Sequence, residues 1–508
     1  MPDFRSRLQR TADRLAGAER EDEASSAVRV EETLVRLGSG EVPRQVESVV
    51  QQALREADRL QEAGDAAGAG QWFERAVQVA SHRVLHFDST ISPLVTDQEG
   101  FSGPFRDSAV ARAVRGLDEL DQPNRGLGGR VSRRSQARSS TTGLARPVRV
   151  LVGYRRNADF LGELQQHLAD SADFDARVVN FDELPGLERF RKNPAMLVEQ
   201  VLAGKPQLSR KAEEHFREHL EWADVVWIEW CTALAALMTR IDPGDTRIVM
   251  RIHSYEVFTH WPHLVNWQHI DDVVFVSEHL RDLAHKAIPG VSDPGAPQLH
   301  VLPLAMELQK MVRPKAPDAR FNLALVGASK MVKDPRWAID VLRRLREHDE
   351  RYRLLLIGGK FQDPSPATHE YAEALRREEA ELAEIGALER IQYTEDVPGV
   401  LEQVGVILST SFRESFHIGL VEGAASGAVP LVRDWPFFPG APRQLFPDEW
   451  VVDSPEQAAE RVLATTADEA TWRATGQEAS RHVIEKWDWE VVKPLYDDFL
   501  SGRPSTRE

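Results

Sequence analysis

The sequence predicts an α/β fold of two parallel, doubly wound sheets behind a helical N-terminal region. Three observations lead to it. From Pro147 onward, short apolar runs alternate with amphipathic helical stretches, and a second such series opens at Phe321. Strands that alternate with helices form parallel sheets with right-handed crossovers. Residues 1–122, by contrast, carry only the helical period.

In that first region Val46, Val49, Val50 and Leu54 recur at helical spacing after Pro43, a residue suited to a first helical position. A turn at Gly64-Asp65 leads to Trp72, Phe73, Ala76, Val77 and Ala80, a second amphipathic pattern. The pair resembles one tetratricopeptide-like hairpin. A single unit cannot build a solenoid, so an accessory layer, or the contact of a homo-oligomer, is the expectation. Residues 86–106, with Pro93, Gly100, Gly103 and Pro104, are expected to be irregular. Residues 123–146 are rich in Gly, Ser and Arg and read as a flexible linker.

The first α/β series spans residues 147–312. Its strands are expected at 148–152, 176–180, 224–228, 247–251, 272–276 and 300–304, with helices at 160–168 and 195–221. The 148–152 run is apolar apart from Arg149, as for a strand buried on both faces. The second series spans 318–486, with strands at 322–327, 353–357, 391–394, 404–410 and 428–432. Helices are expected at 335–347 and 368–385, and a last helix over 487–502.

A chain of 508 residues exceeds one ordinary domain. A net charge of −17 argues against a nucleic-acid partner, which needs clustered positive charge. The one cysteine, Cys231, sits in an apolar segment and reads as a small buried side chain. The first residues do not read as a secretory leader, and no run approaches a membrane span. The expected location is cytoplasmic, with a peripheral membrane contact left open by a lipid-linked acceptor.

The richest segment for chemistry is 412–427. Glu414 and Glu422 stand eight positions apart, with Ser415, Phe416, His417, Ile418 and Gly419 between a polar loop and an Ala/Gly-rich helix. The first N–H groups of such a helix have no intrahelical acceptor and favour an anion, above all a phosphate. Carboxylates on both sides of a phosphate site suit a nucleotide sugar, whose hydroxyls flank its diphosphate.

This run resembles the E-x7-E signature of retaining GT-B glycosyltransferases of the family-4-like group 1, written E-x-F-G-x-x-x-x-E-A-x-A-x-G-x-P. Glu414, Phe416, Glu422, Ala425 and Gly427 match it; His417 replaces a Gly, Gly423 replaces an Ala, and Pro430 falls one place late. The resemblance covers roughly residues 147–500. It implies a GT-B fold, two Rossmann-like halves facing a cleft, with the 487–502 helix packing back on the first half. It implies a metal-independent hexosyltransferase without a resident cofactor, which moves a sugar from a nucleoside diphosphate to a hydroxyl on a glycan, lipid or small molecule.

The resemblance also assigns residues. Glu414 would hold the transferred sugar, Glu422 the ribose hydroxyls, and Ser415 to Gly419 the diphosphate through their N–H groups. Lys333 falls near the family's diphosphate lysine. Ala328 stands where the family has Arg, with Lys330 as the nearest substitute, although a lysine lacks the bidentate fork. Gly358, in Gly358-Gly359-Lys360, matches a glycine turn near the nucleoside, and Tyr393 and Thr394 begin the base-binding loop. His253, after the 247–251 strand, would contact the transferred sugar as a catalytic residue. Gly153 is what remains of a Gly-Gly loop against the diphosphate. The missing Arg and missing glycine keep a non-catalytic nucleotide-sugar or glycan-binding scaffold as the alternative. Asp173-Phe174-Asp175 has the spacing of a metal motif but precedes its strand, at the wrong end of the sheet for a ligand.

Overall fold

Six parallel strands form the first sheet: β1 (Val148–Tyr154), β2 (Phe174–Asn180), β3 (Val225–Glu229), β4 (Arg247–Ile252), β5 (Asp272–Phe275) and β6 (Gln298–Val301), ordered β2-β1-β3-β4-β5-β6. The computed structural model describes residues 21–117, 146–155, 158, 161–182 and 188–503. Every residue of β3, β4 and β5 is buried, whereas the edge strand β2 is largely open. That difference explains why the central strands read as mostly apolar runs, broken only by the buried charges Glu229, Arg247, Arg251 and Asp272. The expected linker at 123–146 lies outside the described residues except for Arg146, which forks onto Asp224 at 2.7 and 2.8 Å.

The N-terminal helices cluster with this sheet in one compact unit, which also takes in the described residues from Leu495 onward. Helices Val46–Glu62 and Ala66–Ala80 form the expected hairpin, turned at Gly64 (φ +78°) and capped by Asp65 on the Gly68 N–H. Gly70 lies so close to helix Pro194–Leu202 that a Cβ would come within 2.5 Å of the Ala195 carbonyl oxygen. A buried ion pair, Arg115 to Asp293 at 2.7 Å, ties the end of the helical region to the loop before β6. Residues 86–106 are more ordered than their prolines suggest. They contain helix Gln98–Asp107, which starts because Asp97 accepts from the Gly100 N–H.

The second sheet has strands β7 (Asn322–Val326), β8 (Arg353–Ile357), β9 (Leu388–Ile391), β10 (Val406–Ser409), β11 (Val429–Arg433) and β12 (Val451–Val452). Its order is β12-β11-β10-β7-β8-β9, all parallel. The chain winds outward from β7 to β9, returns to β10 on the other side of β7, and winds outward again. β9 begins three residues before its expected place. Gly386 (φ +68°) ends helix His369–Glu384, and the strand starts almost at once. Tyr393 therefore lies beyond the strand and is 82% exposed. β12, of two residues, has no period to detect. The unit spans Pro303–Pro494 and also includes the short segment Phe87–Ser92. Helix Trp489–Leu500 straddles the division at Pro494.

Candidate functional site

In an open α/β sheet, ligands lie beyond the carboxyl ends of the strands, at the point where the winding reverses. In the second sheet that point is the β7/β10 boundary. The loop after β7 carries Lys330 and Lys333; the loop after β10 carries Ser411 to His417. These two loops are stitched together. The Phe412 N–H donates to the Val332 carbonyl at 2.9 Å, and the Thr410 hydroxyl donates to the Lys333 carbonyl at 2.6 Å. Asp334, left-handed at φ +44°, accepts from Tyr371 and Arg433, both at 2.7 Å, and so fixes the turn that carries Lys333.

The result is an ion pair at the switch point. Lys333 Nζ lies 2.6 Å from Glu414 Oε1, which also accepts from the Ser411 hydroxyl at 2.5 Å. Burial by itself would raise the Glu414 carboxyl. Lys333 first, with the Ser411 hydroxyl, overcomes that and holds it below the usual carboxylate range. Next to Glu414, Arg413 is buried between the rings of Phe87 and Phe437, at 4.9 and 5.6 Å from their centroids. Burial lowers its pKa to about 9 against the pull of Glu414.

Helix Ile418–Ala425 begins directly after this loop, with His417 as its left-handed N-cap residue. Its first N–H groups have no preceding helical turn to accept them. The helix presses on the sheet: a Cβ on Gly419 would come 2.6 Å from Val326, and one on Gly423 would come 2.5 Å from Ile407. Those contacts give the departure from Ala at 423 a steric reason. The Phe416 side chain is core, edge-on to Trp487 at 5.0 Å, so only its backbone can serve a ligand. Ser415, Ile418 and Glu422 are half-buried. Gly358 (φ +116°) and Gly359 (φ +81°) form the turn after β8, with Gly358 packed on Gly327. Lys330 is exposed, unlike Lys333.

The first unit treats its candidates differently. Gly153 is not in a loop; it is the sixth residue of β1, and a Cβ there would meet Phe181 at 3.2 Å. Packing against that ring accounts for the glycine, which corrects the expected loop role. His253 follows β4 as expected and is buried. Its Nε2 lies 2.9 Å from Glu229 Oε1, and its ring stacks on Trp230 at 4.1 Å. Glu229 in turn accepts from Arg251 and Trp227. Burial lowers the His253 pKa, with Glu229 opposing. The two groupings, His253-Glu229-Arg251 and Lys333-Glu414-His417, belong to separate units.

The supporting partners Glu229, Ser411, Asp334, Arg433 and Phe87 were not found from the sequence. Arg413 adjoins the signature, and Asp334 precedes Pro335 at a helix start, so those two carried a readable signal. The others come together only in three dimensions.

Solved structures that match this architecture include the following two. Anabaena HepE, in complex with UDP and glucose, superposes with a TM-score of 0.50 at 12% identity, over 70% of this chain and 99% of its own. The E. coli trehalose-6-phosphate structure bound with UDP-2-fluoro glucose gives a TM-score of 0.50 at 14% identity, again over 70% and 99%. The fold is of the GT-B type. No protein-family model and no curated protein matches the chain. The GT-B second unit is thus the one in which Lys333 and Glu414 meet. Among the described residues no group of three or more His, Cys, Asp or Glu is arranged to hold a metal ion.

Desolvated neutral histidines, His417 buried and His260 and His263 half-buried, give this GT-B chain a defined acid response. Burial lowers His417 and His263 to about 3, and His260 to about 4. Unfolded, each would titrate near 6.5. Below that value the unfolded state binds more protons than the native one, so stability rises with pH between about 4 and 6.5. Chemical denaturation should show a loss of up to about 1.4 kcal/mol per pH unit for buried His417, and less for the half-buried His260 and His263, on acidification through this window. Equal stability at pH 7.5 and pH 5 contradicts that assignment.

Proposed function

We propose that this chain is a retaining glycosyltransferase that moves a sugar from a nucleoside diphosphate to an acceptor hydroxyl. The observation that carries the reading is the Lys333–Glu414 pair, 2.6 Å apart at the switch point of the second sheet, beside the first turn of helix Ile418–Ala425. A cation, a carboxylate and helix N–H groups in one place suit a sugar diphosphate: cation and N–H groups for the phosphates, carboxylate for sugar hydroxyls. UDP is the first nucleotide to try, because two structures of this fold carry UDP or a UDP-sugar.

In this reading Lys333 and the N–H groups of Phe416 to Gly419 receive the charge that builds on the leaving diphosphate. Lys330, more exposed, assists from outside. Glu414 holds the sugar near its reacting carbon, which becomes oxocarbenium-like in the transition state. Glu422 holds the ribose, and the Gly358-Gly359 turn lets the nucleoside approach the backbone closely. For His253, oriented by Glu229, the family resemblance supplies the role of contacting the transferred sugar. The family resemblance makes the leaving phosphate the group that takes the acceptor proton, so no side-chain base is assigned.

A melting screen against UDP, GDP, ADP and TDP tests the donor half of the proposal. The matching nucleotide, at about 100 times its dissociation constant, should add about 2.7 kcal/mol. A flat response to all four removes the donor site. Stabilisation without sugar transfer to any of a panel of acceptors selects a binding scaffold instead.

A further inference from the structure

His417 stands where the resembled signature carries glycine, and it keeps a glycine's backbone, φ +62°. A residue with a Cβ enters that region only at a steric cost, and such outliers cluster at ligand sites. Its own side chain returns little within the protein. The residue is 5% exposed, and neither ring nitrogen has a hydrogen-bond partner in the protein. An unprotonated imidazole carries its hydrogen on one ring nitrogen and leaves the other as a lone-pair acceptor. The ring sits in the electrostatic reach of Lys333 and Glu414. Buried polar groups in native proteins nearly always find a partner, so an unmatched acceptor beside a candidate ligand site points to that ligand.

We propose that the His417 imidazole accepts a hydrogen bond from a hydroxyl of the transferred sugar and so helps to select that sugar. This rests on the donor-site reading above. The phosphates are poor partners for it, because an unprotonated ring nitrogen and a phosphate oxygen are both acceptors. Lys333 and the helix N–H groups already supply donors for them. A sugar hydroxyl can donate to the ring and still accept from a neighbour.

Calorimetry on the full chain separates the cases, with UDP, UDP-glucose, UDP-galactose and UDP-N-acetylglucosamine as probes. The variants are His417→Gly, which suits the backbone and removes the ring, and His417→Asn, which tolerates the backbone and keeps an acceptor. His417→Gly should fold with a melting temperature no lower than wild type and bind UDP within about twofold of it. The preference of the wild type for its best sugar nucleotide over UDP should fall by up to about tenfold in His417→Gly and recover in part in His417→Asn. Equal losses for UDP and sugar nucleotide, no loss for either, or a wild type that binds no sugar nucleotide differently from UDP, each overturns the inference alone. Failure of UDP, GDP, ADP and TDP alike to bind the wild type overturns the donor-site reading beneath it.

Discussion

Glu414→Gln should lower kcat by about a hundredfold or more while leaving the melting temperature close to wild type, the scale of one lost transition-state contact in a preorganised site. Glutamine keeps the shape of the side chain and can still accept from the Ser411 hydroxyl at its present position. What it removes is the negative charge that faces Lys333 at 2.6 Å and, in the proposed reaction, the positive charge developing on the sugar. Lys333→Met should act at the other end of the same pair and weaken stabilisation of the departing diphosphate. Because the two groups touch, their losses should not add: the double variant should fall well short of the product of the singles. Steady-state kinetics distinguishes the possible roles. A fall in kcat at constant KM marks a contact made in the transition state, whereas a rise in KM at constant kcat marks ground-state binding only. Near-normal turnover in both single variants would remove the pair from the chemistry.

The sequence made the scaffold legible and half of the site. The central strands declare themselves because they are buried on both faces: β3 to β5 of the first sheet hold almost nothing but buried residues, and apolar runs followed. Lys333 and Glu414 could be nominated because each follows a strand of that kind, although 81 residues separate them. Their contact depends on a topological fact, that β10 returns to lie beside β7. Local pattern does not encode this, but the winding rule for open sheets does. What stayed hidden needs packing to see. Asp334 is held by Tyr371 and Arg433, drawn from two other segments. Gly153 reads as a loop glycine until Phe181 is seen against it. Residues 86–106 looked broken by their prolines and glycines, yet one cap, Asp97, is enough to start a helix there. His417 was visible as a departure from glycine; that it keeps the left-handed backbone was not.

Arg251→Met should cost about 3–5 kcal/mol of stability, because it strands a buried carboxylate without its cation. Arg251 and Glu229 are register partners on β4 and β3, and both are fully buried. The guanidinium Nε donates to both carboxylate oxygens at 2.9 Å, and Nη1 reaches the Tyr496 hydroxyl at 3.2 Å. Burial would raise the Glu229 carboxyl, but Arg251 and His253 overcome it and hold it below the ordinary value. A carboxylate whose folded pKa is lowered contributes stability above its unfolded pKa and loses it as pH falls through the folded one. Unfolded Glu229 is the same in both proteins, so the gap between Arg251→Met and wild type should narrow as pH falls through the carboxyl's pKa in the variant, which burial without Arg251 raises, and level off below the lowered wild-type value. Replacing both partners by apolar residues of similar volume should cost less than the single change, since no charge is left unpaired. Urea denaturation followed by tryptophan fluorescence reads this directly, with Trp227 hydrogen-bonded to Glu229 as a reporter inside the network. A single variant within about 1 kcal/mol of wild type at pH 7, the range of an exposed ion pair, would mean that the network is not a buried charge pair at all. The same variant bears on function: without Arg251, Glu229 faces His253 with an uncompensated charge, so the imidazole should bind its proton more tightly. The pH profile of turnover should then shift upward on its acid limb in Arg251→Met if His253 acts as a neutral ring on the sugar, and stay in place if His253 has no part in the reaction.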